Sequence, residues 1–155
     1  MDKSVNYISE KKRKELESEL KELKGPKRKE ILDALQYAKS LGDLSENAEY
    51  HQAREDQGKL ESRIAKIESV LVSSEVFSGG GGEVVEVGSK IIVQKNGEQE
   101  EKTFTIVGSE EADISLGKIS NNSPLGRAFF GRKKGEKVVV STPNGEISYK
   151  ILNVA

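Results

Sequence analysis

Two carboxylates, Asp43 and Glu46, stand three residues apart in the segment Leu41–Gln57, LGDLSENAEYHQAREDQ. Carboxylate oxygens are hard donors, and Mg²⁺ is commonly held by one or two of them, with waters and substrate phosphates completing the shell. Two acids alone make an incomplete site, so metal chemistry here needs further ligands from another molecule. The residue types leave a plainer reading open as well, a polar turn that caps a helix. Ser45 is the expected N-cap, with Glu46 and Glu49 in the first turn, where acidic side chains favour the positive end of the helix. His51 is the only histidine and there is no cysteine, so zinc sites and disulfides are excluded. Tyr50 reads as a packing residue and Arg54, one turn on, as a surface charge.

Other chemistry is absent from the pattern. The run Gly79–Gly82 has neither a preceding strand in GxGxxG register nor a following Lys-Ser/Thr, so it is no phosphate loop. There is no GxSxG, and one histidine gives no nucleophilic triad. Self-contained catalysis is therefore not expected. Lys and Arg total 25 against 26 Asp and Glu, a net charge of −1. A face that binds duplex nucleic acid needs a clear basic excess, so any such contact must be local or delivered through a partner. With four Tyr, four Phe and no Trp, a base-stacking platform is also excluded. The absence of cysteine fits a reducing cytoplasm. No segment approaches the roughly 18 apolar residues that span a bilayer, and MDKSVNYISEKKRK has no apolar core of a secretory leader, so the expected protein is cytoplasmic and has no membrane partner.

The elements that would carry the acids are long helices. Leu16, Leu20 and Leu23 step by four and three, and Ile31, Leu32, Leu35, Ala38 and Leu41 continue the stripe. Between them, Gly25–Pro26 predicts a break, since proline in a helix interior removes a hydrogen bond. Ala53, Gln57, Leu60, Ile64, Ile67 and Leu71 form a heptad seam. Two stripes joined by a tight turn predict an antiparallel hairpin, with a second helix over 46–72 about 40 Å long. The seam covers under three heptads, which suits pairing within one chain, so a monomer is expected. KKRK at Lys11–Lys14 lies on an amphipathic helix and reads as a solvated face.

Past the glycines the composition turns to Val, Ile, Thr and spaced Gly. Strands are expected at Lys90–Gln94, Lys102–Val107, Lys137–Ser141 and Ile147–Val154, with hairpin turns at Asn96–Gly97 and Asn144–Gly145. A short helix opened by Pro124 and closed by Gly131 lies between them. The fold class is α+β: a helical domain over 1–77, a flexible glycine-rich linker over 78–83, and a β-rich domain over 84–155.

GDLSENAEYHQARE (Gly42–Glu55), followed by Gln57–Gly58, resembles the tip signature of the Gre family of bacterial transcript cleavage factors. IVGSEEADISLGKISNNSPLGRAFFGRKKGE (Ile106–Glu136) and STPNGEISYKIL (Ser141–Leu152) resemble that family's second domain, and the likeness runs in order through nearly the whole chain. It implies an N-terminal antiparallel coiled coil and a C-terminal domain similar to FK506-binding proteins. The second domain would dock on bacterial RNA polymerase while the coil enters the secondary channel and stimulates cleavage of the 3′ end of nascent RNA in backtracked complexes. Asp43 and Glu46 match the family's tip acids, thought to help hold an Mg²⁺ shared with the polymerase, so the factor donates metal ligands without being an enzyme itself. Ser45 and Asn47 would help to position water or phosphate, Arg54 would lie near displaced RNA, and Ser123 and Pro124 would touch the polymerase. The scattered basic residues match the branch with a small basic patch. This half lacks the dense aromatic pocket of a prolyl isomerase. Some paralogues of this architecture occupy the channel and inhibit, and carry extra tip acids; this tip has only two before Glu49, so cleavage is the expected activity and inhibition the alternative. An inert coiled-coil adaptor is a third possibility.

Overall fold

The computed structural model describes residues 5–155; residues 1–4, the start of the expected helical domain, lie outside the described residues. Contacts divide the described residues into two compact units, one of Arg13–Ser73 and one that joins residues 5–12 with Ser74–Ala155.

The first unit is a helical hairpin. Helix α1 (Glu10–Glu22) runs through a π-type turn, Leu23–Lys27, into α2 (Arg28–Ser40), and α3 (Ala48–Ser73) returns beside α2. The break expected at Gly25–Pro26 does not occur. Pro26 sits inside the π turn, and the Arg28 N–H donates to the Leu23 carbonyl five residues back as well as to Gly25. Widening the turn by one residue absorbs the missing proline N–H and the ring's clash with the preceding turn.

Ala38 meets Asn47 at one end and Arg28 meets Glu61 further along, an antiparallel register. Ile31, Leu35, Ala53, Leu60 and Ile64 form the buried seam, with Leu20, Leu23 and Tyr50 packed on it. Leu32 and Leu41, expected in the stripe, are instead 48% and 52% exposed, because the packed face needs only three or four positions per two turns.

Arg28 grips Glu61 at 3.0 and 2.9 Å, Arg63 grips Glu19 at 2.7 and 2.9 Å, and Lys24 pairs with Glu68. These pairs are all partly exposed, and such pairs contribute about 0–1 kcal/mol each. Burying one seam side chain contributes about 1.5–3 kcal/mol, so the apolar seam carries the hairpin. Ile64→Ala is expected to cost about 2–5 kcal/mol, read as a lower denaturant midpoint of the helical signal; an unshifted midpoint would remove Ile64 from the seam.

The second unit holds a five-stranded sheet in the order β5-β4-β3-β7-β6, with β3 (Lys90–Lys95), β4 (Glu101–Val107), β5 (Lys118–Ser120), β6 (Lys137–Thr142) and β7 (Gly145–Val154). All pairs are antiparallel except β4–β5. The four expected strands are present within one or two residues at their ends. The Asn144–Gly145 turn is the tight one, since Thr142 pairs directly with Gly145, whereas Asn96–Gly97 opens a longer loop to Glu101.

One face buries Ile91, Val93, Ile106, Ile119, Val138, Val140 and Ile151 against Phe129 and Phe130 of the short helix α4 (Pro124–Phe129) and its C-terminal end. Three strands escaped the sequence reading: the short β5, and two more outside the five-stranded sheet. β1 (Asn6–Ser9) and β2 (Ser74–Phe77) pair in parallel, Asn6 with Ser74 through Ser9 with Phe77. Part of the glycine run is packed rather than open: a Cβ on Gly80 would lie 2.2 Å from the Gly88 carbonyl oxygen, and one on Gly88 1.8 Å from that of Gly79. Glycine is required there because two backbones approach each other.

Candidate functional site

The turn between α2 and α3 begins where α2 runs out of partners. The Leu41 N–H closes on the Ala38 carbonyl at 3.2 Å, and Gly42, with φ +117°, reverses the chain. Asp43 follows, exposed, and its Oδ1 accepts both the Ser45 N–H and the Ser45 hydroxyl at 2.9 Å. The Ser45 N–H first, and its hydroxyl second, hold the Asp43 carboxyl below the usual carboxylate range. Oδ2 has no hydrogen-bond partner among the described residues, which leaves it open to a ligand. Leu44, Ser45 and Glu46 are exposed around it.

Helix α3 starts at Ala48, and its N-cap is Asn47, not Ser45. The Asn47 Oδ1 accepts the Tyr50 N–H at 3.0 Å while its Nδ2 donates to the Ala38 carbonyl at 2.7 Å. Ser45 lies three residues before the helix, and its N–H and hydroxyl donate back to Asp43. Glu46 therefore lies in the turn, outside the helix, and the helix covers 48–73 rather than 46–72. The His51 ring nitrogen Nε2 lies 3.3 Å from the Ser45 carbonyl, and the ring meets Tyr50 edge-on at 5.8 Å. Neither Asn47's second bond nor this histidine contact was visible from spacing; an asparagine directly before a helical Ala-Glu was the available signal for the cap.

Asp43, Ser45, Glu46 and Asn47 are thus brought into one short turn. Arg54 is not part of it: it lies on the exposed side of α3, its Nη1 donating to the Gln57 side-chain oxygen at 2.8 Å. Ser123 and Pro124 belong to the other unit. There Ser123 caps α4, accepting the Gly126 N–H at 3.0 Å and donating to the Ser120 carbonyl at 2.7 Å, and Pro124 opens the helix. Both border an apolar cavity of about 560 Å³ floored by Phe104, Ile119, Leu125, Val140 and Tyr149.

Among the described residues no group of three or more His, Cys, Asp or Glu side chains could enclose a metal. The donor chemistry nonetheless fits a hard cation: two exposed carboxylates in a locally ordered turn, one with an uncommitted oxygen. Two carboxylates alone fill only part of such a cation's oxygen shell. Among the described residues no helix is long and apolar enough to cross a membrane.

Two family models cover the chain in succession. "Transcription elongation factor, N-terminal" matches residues 6–76, and "Transcription elongation factor, GreA/GreB, C-term" matches residues 81–155. This chain belongs to the GreA/GreB family of transcription elongation factors. It is 44% identical over 150 residues to transcription elongation factor GreA of Roseiflexus castenholzii, spanning 96% of both chains. It is 48% identical over 143 residues to GreA of Clostridium acetobutylicum, spanning 91% of this chain and 90% of that one. Among solved structures, the Gfh1 protein (GreA factor homolog 1) of Thermus thermophilus aligns with 97% of this chain and 99% of its own at 22% identity and a TM-score of 0.43. A GreA/GreB elongation factor from Nitrosomonas europaea aligns with 97% and 98% at 22% identity and a TM-score of 0.43. The two matches meet in the glycine run of this GreA/GreB-family chain: residues 77–80, with Gly79 and Gly80, fall between them, and Gly81 and Gly82 open the second match.

Proposed function

We propose that this chain rescues backtracked bacterial RNA polymerase by stimulating cleavage at the 3′ end of the nascent RNA. The hairpin enters the secondary channel, and its tip presents Asp43 and Glu46 as oxygen ligands to an Mg²⁺ held mainly by the polymerase. The observation that carries this reading is the tip itself: two exposed carboxylates in an ordered turn, one fixed through Oδ1 with Oδ2 free, and, among the described residues, no group of three acids that would complete a site. Membership of an elongation-factor family supports the setting.

When bound, the ion would supply an activated water and neutralise charge developing on the phosphodiester. The chain's own residues do the rest. α3, with 26 residues, gives a reach of about 39 Å at 1.5 Å per residue. Ser45 holds the Asp43 carboxylate ionised and oriented, so no reorganisation is needed when a cation arrives. Arg54, exposed on α3, supplies a cation near displaced RNA. The Ser123–Pro124 end of α4, beside the apolar cavity, is the surface offered to the polymerase. The chain has no active site of its own; it acts as a monomer in the cytoplasm and stimulates an activity intrinsic to the polymerase.

The test is RNA cleavage in purified backtracked elongation complexes with Mg²⁺. Release of short 3′ fragments and resumption of synthesis are expected on addition of the chain. Slower elongation with no fragment released would overturn the proposal in favour of a channel-occupying inhibitor.

A further inference from the structure

Asn47 is the only residue of the turn whose side chain joins both helices. Its Nδ2 donates to the Ala38 carbonyl, which lies in the last turn of α2 and also takes the Leu41 N–H at 3.2 Å, and its Oδ1 accepts the Tyr50 N–H, one of the donors at the start of α3 that have no partner within the helix. The two bonds, 2.7 and 3.0 Å, close the loop 39–46 at its base. Asn47 is half-buried while its neighbours from Leu41 to Glu46 are exposed, and Ala38 beneath it is buried. Inside this closed loop sits the second, smaller ring, Asp43 to Ser45. Glu46 has no such local partner among the hydrogen bonds of the described residues. Its backbone is placed by its covalent bond to Asn47.

We infer that Asn47 is a positioning residue for the tip acids: it clasps the ends of α2 and α3, and through that clasp sets where Glu46 and the Asp43–Ser45 ring present their oxygens to a cation. It does so without touching metal, water or RNA. Residues that orient ligands from behind are commonly worth about 10–100-fold in metal affinity or activity. A simple N-cap differs in kind, because serine would replace it: serine caps as well as asparagine but is too short to reach across to Ala38 as well.

The inference rests on the function proposed above, and the test separates the two. Asn47→Ser keeps a capping oxygen for α3 and removes the reach to α2. Its helical circular dichroism and its polymerase affinity should match wild type. Half-maximal RNA cleavage should require about tenfold more Mg²⁺, and backbone NMR order parameters of Asp43–Glu46 should fall from rigid toward flexible values in the free chain. Wild-type Mg²⁺ dependence, or unchanged order parameters, would overturn the clasp. Asn47→Asp, which keeps the cap and turns an acceptor toward the Ala38 carbonyl, should reproduce the defect and carries the test if the serine variant folds poorly. If wild type releases no RNA, the proposed function fails, and the order parameters still decide whether Asn47 holds the turn.

Discussion

Replacing both tip acids, Asp43→Ala with Glu46→Ala, is expected to lower stimulated RNA cleavage by roughly 100-fold or more while polymerase binding persists. The size of the effect follows from what the two side chains do. Both are exposed, and the only hydrogen bonds among them run from Ser45 to Asp43. Truncation therefore opens no cavity and exposes no core; the seam from Leu35 to Ile64 is untouched. Binding is expected to survive because Ser123 and Pro124 lie in the other unit. Glu49 is the internal control. It is exposed in the first turn of α3, where a carboxylate contributes about 0.3–1 kcal/mol through the helix dipole, so Glu49→Ala should leave cleavage near wild type. Acidity gives a second check. The Asp43 pKa is depressed in the folded chain, first by the Ser45 N–H and then by its hydroxyl. The contribution of that turn is present above the unfolded pKa and is lost as pH falls through the folded one. Asp43 is accordingly a carboxylate throughout the neutral range, and any acid limb it causes lies below ordinary carboxylate pH. Loss of polymerase binding in the double variant, or full cleavage by it, would take the chemistry away from the tip.

The hairpin was legible because its signal is local and periodic. Ala53, Leu60, Ile64 and Ile67 repeat on one face of one continuous helix, and the structure buries all four. The turn that holds Asp43 and Glu46 was legible for a related reason: the apolar stripe of α2 stops at Leu41–Gly42 and a new one begins at Ala53. What spacing could not decide was which of two good capping residues, Ser45 or Asn47, starts α3. That choice depends on Asp43 recruiting Ser45 backward and on Ala38 receiving Asn47 from across the turn, both contacts between elements rather than within one. Pro26 misled for the same reason. Its rule assumes a straight i to i−4 ladder, and the π turn relaxes that assumption by one residue.

In the sheet unit, β3, β4, β6 and β7 announce themselves by alternation and by glycine turns. β1 and β2 do not. Each has four residues, and they pair in parallel with about 65 residues of chain between them, so no local pattern marks either one. β5, three residues long, is below the length at which alternation can be read. The glycines that allow close backbone contact were likewise silent. Gly88 and Gly108 look like ordinary turn residues until the strand or loop that presses on them is known.

Gly108 gives the largest structural effect expected of a single methyl group. Its backbone, φ −71°, suits any residue, so strain plays no part. The obstacle is space: a Cβ there would stand 1.5 Å from the Tyr7 carbonyl oxygen and 2.6 Å from its carbon. Those atoms belong to β1 and cannot rotate away like a side chain, so the strand itself must retreat. β1 is tightly held. Tyr7 and Ile8 are 4% and 1% exposed. The Ser9 N–H and hydroxyl both donate to the Glu111 carboxylate, at 2.9 and 2.6 Å, and the Asn122 amide donates to Asn6 at 2.9 Å. Retreat of β1 would stretch all of these and uncover two buried side chains. Gly108→Ala is expected to cost about 3 kcal/mol, with faster amide exchange in Asn6–Ser9 and in its partner Ser74–Phe77. Gly58→Ala is the matched comparison, since a Cβ at that position in α3 meets nothing within 4 Å and helix propensity alone should stabilise the chain by about 0.5–1 kcal/mol. The two substitutions add the same atom and should move stability in opposite directions. If Gly108→Ala keeps wild-type stability with β1 and β2 still protected, the turn at 108 must shift freely, and β1 is held by its hydrogen bonds rather than by the close backbone contact.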